Sequence, residues 1–297
     1  MLNTLGTTSM SHDEAVRDGL MAVAWQAAQN IMKIGGFVRA NHFSEIFAGH
    51  SEITLACWRA SMRGLAFDRL LNVEQDMCSL YGFTYAIMLV ASIVKGGLLW
   101  LAPQCSTWLS FVSAYTMQRK LHNQYEGDTC RLDVLEANCT ARCIAFLIRF
   151  ATARGVRFIV ENPQTSFLWK YPPLVQALRE CSAVTHNTYH GAFGGRSVKP
   201  LTLYSTVHPD FIMRHLVRPR REAKSKVDVL RASNPANAGP LIRSVRFKKG
   251  KGRAWKQGNK NNIADSAAYT KEFGEAVATM LACMFLSTEE APQISSL

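Results

Sequence analysis

The chain has 297 residues, 48% of them hydrophobic, enough to bury one large α/β core or a core with an appendage. Its most apolar stretch, residues 85–102, is broken by Lys95-Gly96-Gly97, which argues against a membrane span; its eight Cys form no CxxC pair, which argues against a disulfide framework or a zinc site and fits a reducing compartment. The net charge of +12 is local: fifteen of the 34 Lys and Arg, with only the acids Glu222 and Asp228, fall in residues 214–260. Such a patch is either a contact surface for a polyanion, most often nucleic acid, or a solvated loop.

Residues 1–12 read as a frayed terminus without an apolar leader, since Asp13, Glu14 and Asp18 follow. Residues 13–32 predict a helix, capped by Ser11 or Asp13 and favoured by Ala15, Ala22, Ala27 and Ala28. Residues 44–47 predict a short strand and Ala48-Gly49 a tight turn. Ser51 then caps a helix reaching Met62, with Gly64 as its stop signal. A second strand, residues 65–67, ends in Asp68. Strand, Gly turn, helix and a strand ending in an acid about 20 residues on make a βαβ unit. With one Gly rather than three it carries no dinucleotide phosphate grip, and it reads either as a ligand-free unit or as an adenosine site.

A helix over 85–94 leads into an apolar strand, Leu98 to Ala102, closed by Pro103, which cannot donate to a sheet ladder. Cys105 thus stands just past the carboxyl end of a buried strand, the edge at which open α/β sheets bind ligands; taken alone it also reads as one more small buried hydrophobe. Residues 133–153 predict a long amphipathic helix, with Cys139 and Cys143 packed on its apolar stripe. A buried strand over 156–160 runs into Glu161-Asn162-Pro163, and a carboxylate at such a strand end is expensive to bury without a task. Strands follow over 184–190 and 201–205, separated by a Gly-rich turn that carries Arg196 and Lys199. Pro, Gly and Asn punctuation predicts mostly loop over 214–260, and residues 267–286 predict a last helix with a loose tail behind it.

In chain order the set is Phe47-Ala48-Gly49, Asp68, Asp76, Pro103-Gln104-Cys105, Glu161-Asn162-Pro163, Arg196 and Lys199, then Gly274-Glu275-Ala276-Val277. It resembles the DNA (cytosine-5) methyltransferase family. The resemblance implies an α/β, Rossmann-like class I S-adenosylmethionine-dependent methyltransferase fold, with a mostly parallel central sheet and helices on both faces. It divides the chain into an N-terminal helical extension (1–40), a methyltransferase core (41–206), a basic loop-rich segment in the place of a target-recognition region (207–262) and a C-terminal helix packing back on the core (263–297).

The resemblance also implies roles. Cys105 would be the thiolate that adds to carbon 6 of cytosine, Glu161 would bind ring N3 and the exocyclic amine, and Arg196 or Lys199 would hold the base or a neighbouring phosphate. S-adenosyl-L-methionine would lie over Phe47, Ala48, Gly49 and His50, its ribose on Asp68 and its adenine near Asp76, with Pro103, Ala276 and Val277 completing the site. Arg218, Arg220, Arg221, Lys224, Lys248, Lys249, Lys251 and Arg253 would grip nucleic-acid phosphates. DNA is the implied partner, with RNA open because one branch of the family methylates transfer RNA; neither a metal nor a membrane is implied. The compartment would be the nucleus in a eukaryote and the cytoplasm otherwise. A methyltransferase-like binding protein that has lost catalysis is the other reading. The chain departs from the family pattern at Gln104, where the family has Pro, at His50-Ser51, where a second Gly is missing, and at Glu275, where the family has Asn. Only eight residues separate Asp68 from Asp76, and the Arg motif takes the form GGRSVKP.

Overall fold

A computed structural model describes residues 39–110, 117–233, 242–245, 254–257 and 268–289, together with Gln26 and Asn30. In chain order the elements are β1 (Asn41–Ile46), α1 (Glu52–Arg59), β2 (Gly64–Phe67), α2 (Leu80–Ser92), β3 (Ile93–Leu101), α3 (Leu132–Ala153), β4 (Arg157–Pro163), α4 (Pro172–Glu180), β5 (Val184–Tyr189), β6 (Pro200–Ser205), α5 (Pro209–His215), α6 (Arg220–Ser233), β7 (Ile242–Val245), β8 (Ala254–Gln257) and α7 (Lys271–Glu289). Of the helix expected over 13–32 only Gln26 and Asn30 are described, both helical.

The first six strands form one mixed sheet in the order β2-β1-β3-β4-β6-β5. β1 to β4 pair in parallel, and β6 runs antiparallel to both β4 and β5. Side chains alternate across the sheet, as the pleat requires. Leu99 and Leu101 of β3 face a core filled by α2, α3 and α4, while Leu98 and Trp100 face a second core filled by α1, α5, α6 and α7. The architecture is therefore α/β with helices on both faces, compatible with a Rossmann-like fold. Cys143 is buried in the first core and Cys139 packs against it, as expected of the α3 stripe.

The chain leaves β1 for β2 on one side and returns through α2 to β3 on the other. The order reverses between β1 and β3, and a crevice opens there at the carboxyl ends of the strands. This reversal, rather than any single motif, brings residues 47–51 and 102–105 together.

Several boundaries differ from those read in the sequence. Gly64 does not stop α1 but opens β2, where a Cβ would collide with the Phe43 ring. The Gly96-Gly97 pair lies inside β3, not in a turn before it: β3 starts at Ile93, and Gly96, at φ 81°, absorbs an irregularity in its pairing with β1. β4 continues to Pro163 because β6 still pairs with it after β3 has ended at Leu101. No strand or helix forms between Asp68 and Asp76. The basic segment is not mostly loop where it is described. Residues 220–233 form α6, whose Ala223 and Val227 are buried on one side, and β7 and β8 pair as an antiparallel hairpin. Ala, Glu, Lys and Arg at helical spacing outweigh the punctuation that follows them.

Two packing details are testable. Gly274 of α7 lies so close to α1 that a Cβ would overlap the Glu52 carbonyl. In a helix, Ala is favoured over Gly by about 1 kcal/mol, but overlap with backbone costs about 1–3 kcal/mol. Gly274→Ala is therefore expected to lower the urea midpoint; an equal or higher midpoint would contradict the α1–α7 packing. Glu45 of β1 is fully buried and accepts from both Thr54 N (2.8 Å) and Thr54 Oγ1 (2.6 Å), so it caps α1 in place of Ser51, whose side chain makes no cap bond. Burial pushes its carboxyl from the ordinary 4.5 up to about 7, although Thr54 donates to it. The folded state thus holds this proton more tightly than the unfolded chain, and its stabilising contribution is lost as pH rises between those two values. Relative to the wild type, Glu45→Gln should gain about 3 kcal/mol of stability across that window. Parallel stability–pH curves for the two proteins would show that Glu45 does not titrate there.

Candidate active site

β1 ends in a turn whose backbone is left-handed at Phe47 (φ 64°), Gly49 (φ 53°) and Ser51 (φ 58°). Two of these are not glycine, and such strain persists only where the surroundings impose it. Asp68, at the end of β2, is part of that imposition: its Oδ2 accepts from Gly49 N at 2.9 Å and its Oδ1 from Leu70 N at 2.8 Å. The carboxylate ties the β1 turn to the β2 end and still faces a cavity of about 500 Å³. Asp76 borders the same cavity and accepts from Cys78 N. Asp133 and Glu136 of α3 also line it, Asp133 paired with Arg131 and Glu136 with Arg69. This cavity is acidic, and Phe47 forms part of its wall.

A second cavity of about 120 Å³ adjoins it, sharing Phe47, Gly49, Ala102 and Gln104. His50, Pro103, Cys105, Glu161, Asn162, Lys199 and Tyr269 line this one. Cys105 and Glu161 are brought here by the ends of β3 and β4. Asn162 Nδ2 donates to the Pro103 carbonyl at 2.8 Å and joins those ends. Behind Cys105 the chain turns tightly, with Trp108 N and Leu109 N both donating to the Cys105 carbonyl. Trp108 is buried and carries the Arg119 guanidinium 3.5 Å above its ring.

The electrostatics of the small cavity are set by three groups. Burial pushes the Cys105 thiol up, Lys199 pulls it down and Glu161 raises it again. Burial likewise pushes the Glu161 carboxyl up, against Lys199 and a hydrogen bond from Tyr269. Lys199 is thus the cation that favours the ionised form of both. Glu161 Oε1 and Asn162 Oδ1 are buried without a hydrogen-bond partner, although buried polar atoms are usually satisfied.

The structure does not bring every expected residue to these cavities. Arg196 is exposed and lines neither. Ala276 and Val277 lie inside α7, with Val277 fully buried in the core, so Gly274-Glu275-Ala276-Val277 is packing rather than cavity wall. The residues that α7 contributes to the site are those just before it, Ala268 and Tyr269. The signal for them was Thr270, whose Oγ1 accepts from Phe273 N and marks the helix start. A helix begun at Ala267 hides Tyr269 within it. Arg220, Arg221 and Lys224 are exposed on α6, and Arg218, just before it, lies over the Phe193 ring. Lys248, Lys249, Lys251 and Arg253 lie outside the described residues. Among the described residues no group of His, Cys, Asp and Glu is placed to hold a metal ion, and no helix is long and apolar enough to cross a membrane.

No family model matches the chain, and no curated protein or solved structure matches it.

Lys199→Met should raise the Cys105 thiol further and slow its alkylation by iodoacetamide at neutral pH roughly three- to tenfold. Mass spectrometry of the Cys105 peptide separates it from the other seven cysteines. An unchanged rate would mean that Lys199 does not act on this thiol.

Proposed function

We propose that the protein transfers a methyl group from S-adenosyl-L-methionine to carbon 5 of cytosine in DNA, with Cys105 as nucleophile. The observation that carries this reading is the pairing of cavities: one of about 120 Å³ walled by Cys105, Glu161 and Lys199 opens beside one of about 500 Å³ walled by acids. The larger cavity suits the cofactor: its size is that of a small-molecule site, and Asp68, Asp76, Asp133 and Glu136 favour a ligand with a sulfonium, an ammonium and ribose hydroxyls. A mixed, mostly parallel six-stranded sheet with the site at its order reversal is compatible with this reading.

Lys199 would favour the Cys105 thiolate, and Sγ would then bond to carbon 6 of the ring. The electrons of the former 5–6 double bond make carbon 5 nucleophilic. The bound cofactor supplies an electrophilic methyl. Glu161, whose carboxyl burial pushes up, would donate to ring N3 and offset the charge that builds there. Once carbon 5 has taken the methyl, its proton would pass to water, the N3 proton would return to Glu161, and Sγ would leave as the thiolate with the 5–6 double bond restored. The base must leave its duplex to reach Cys105, and the exposed cations of α6 would hold the flanking phosphates.

Nucleic-acid binding without catalysis is the second reading; the high Cys105 thiol and the displaced Arg196 favour it. Tritium transfer from labelled S-adenosylmethionine to duplex DNA and to transfer RNA tests both. Transfer to DNA is expected, with Cys105→Ala inactive and Glu161→Gln slower by about 10²–10³. Full transfer by Cys105→Ala would end the thiolate mechanism. Transfer to RNA alone would change the substrate, and no transfer with no cofactor binding by calorimetry would leave the binding-only reading.

A further inference from the structure

We infer that Tyr269 is a positioning residue for the Glu161 carboxyl group, so that the segment leading into the C-terminal helix completes the site. The inference deepens the reading of Cys105 and Glu161 as one reacting pair and rests on it.

Tyr269 is two residues ahead of α7 and lies about sixty residues beyond the end of β6, yet it lines the same cavity as Cys105. Its ring is held on two sides. It stacks on Phe273 with centroids 4.6 Å apart and planes 9° from parallel, and it meets Trp100 edge-on at 5.9 Å. Phe273 is held in turn by Phe193, and the Thr270 hydroxyl donates to the Phe193 carbonyl. The phenol therefore has little freedom.

Its hydrogen bonds have only one consistent direction. Trp100 Nε1 lies 3.2 Å from the Tyr269 hydroxyl, and an indole N–H can only donate. The hydroxyl must accept there, which leaves its single proton for Glu161 Oε2, 2.6 Å away. Oε2 is thereby committed as an acceptor. When Glu161 is protonated, the proton belongs on Oε1, the oxygen that is buried without a partner in the cavity wall. Tyr269 thus decides which oxygen carries the acid proton and leaves that one to donate to a bound ring with an acceptor nitrogen. The other titratable groups facing the pair are Lys199, Cys105, His50 and Glu52 in the cavity wall and Glu45 from β1, which acts on Tyr269.

Infrared difference spectroscopy tests this without relying on turnover. The carboxyl band of Glu161 is the one that Glu161→Gln deletes. In Tyr269→Phe, which keeps the ring on Phe273, that band is expected at higher frequency, with its titration midpoint about one pH unit higher, because the ionised form has lost a donor. Site-specific 3-fluorotyrosine at position 269, a stronger donor of the same shape, should move both in the opposite direction. A Glu161 band unchanged in frequency and midpoint in both variants would overturn the inference. Methyl transfer measured on the same proteins separates the two claims. Infrared shifts in a protein with no transfer keep the positioning role and remove the proposed reaction. Full transfer with an unmoved band removes the positioning role alone.

Discussion

Past Val160, β4 loses its β3 neighbour, and one buried hydrogen bond, Asn162 Nδ2 to the Pro103 carbonyl, holds the diverging chains. Everything at the candidate site depends on that junction. The bond joins the chain just before Cys105 to the residue just after Glu161. It works because β4 is still paired on its other side, with Glu161 opposite Leu203 and Asn162 opposite Thr202 of the antiparallel strand β6. An all-parallel sheet would need another crossover to support the end of β4. Here β6 also returns the chain from the turn that carries Lys199, so one strand both braces the glutamate and delivers its cation.

The site concentrates groups that are costly to bury, and each is compensated differently. Glu45 receives both donors of Thr54, and Glu161 receives Tyr269. Arg119 is fully buried without a carboxylate bonded to it; instead it donates to the carbonyls of Thr107, Tyr125 and Glu126 and to Asn138 Oδ1 while lying on Trp108. Those carbonyls belong to the two ends of the stretch between β3 and α3, so this cation fastens the segment that follows Cys105. Compensation is incomplete in each: Glu45 Oε1 and Arg119 Nη2 are left without a partner, as are Glu161 Oε1 and Asn162 Oδ1, and the last two are in residues that line the small cavity, where an incoming ligand could satisfy them.

How far the sequence could be read follows from which forces are local. Strands β3 and β4 were legible because continuous apolar runs ending in Pro have few other solutions, and β1 because the Ala48-Gly49 turn closes it; with them came the placement of Phe47, Cys105 and Glu161 at strand ends. Asp68 was legible for the same reason. What could not be read depends on contacts distant in the chain. Gly64 looks like a helix stop until Phe43 is seen against it, and Gly274 looks like part of a motif until Glu52 is seen against it. Ser51 looks like the cap of α1 because Glu45, the group that performs the task, is on the preceding strand. Tyr269 reaches Glu161 only through the packing of α7 on α1. Helix α6 failed to register for a different reason: its neighbours' Pro and Gly were averaged with it, although its own residues favour a helix.

Charge is distributed so that two unlike ligands need not compete. The wall of the larger cavity carries Asp68 and Asp76 from the β2 side and Asp133 and Glu136 from α3. Arg220, Arg221 and Lys224 stand on α6, against the turn 190–193 in the other core layer, where Lys226 bonds to the Ala192 carbonyl. A cationic small molecule and a polyanion are therefore drawn to different parts of the protein. The cavity around Cys105 adjoins the acidic one, and Lys199 is its cation. It is also placed by the connection from that turn to β6. Helix α6 packs on residues 190–193, and the chain runs from there through Lys199 into β6. The exposed cations of α6 and the cavity around Cys105 are thus joined by one short stretch of chain, even though the acidic wall beside that cavity sets them apart in charge.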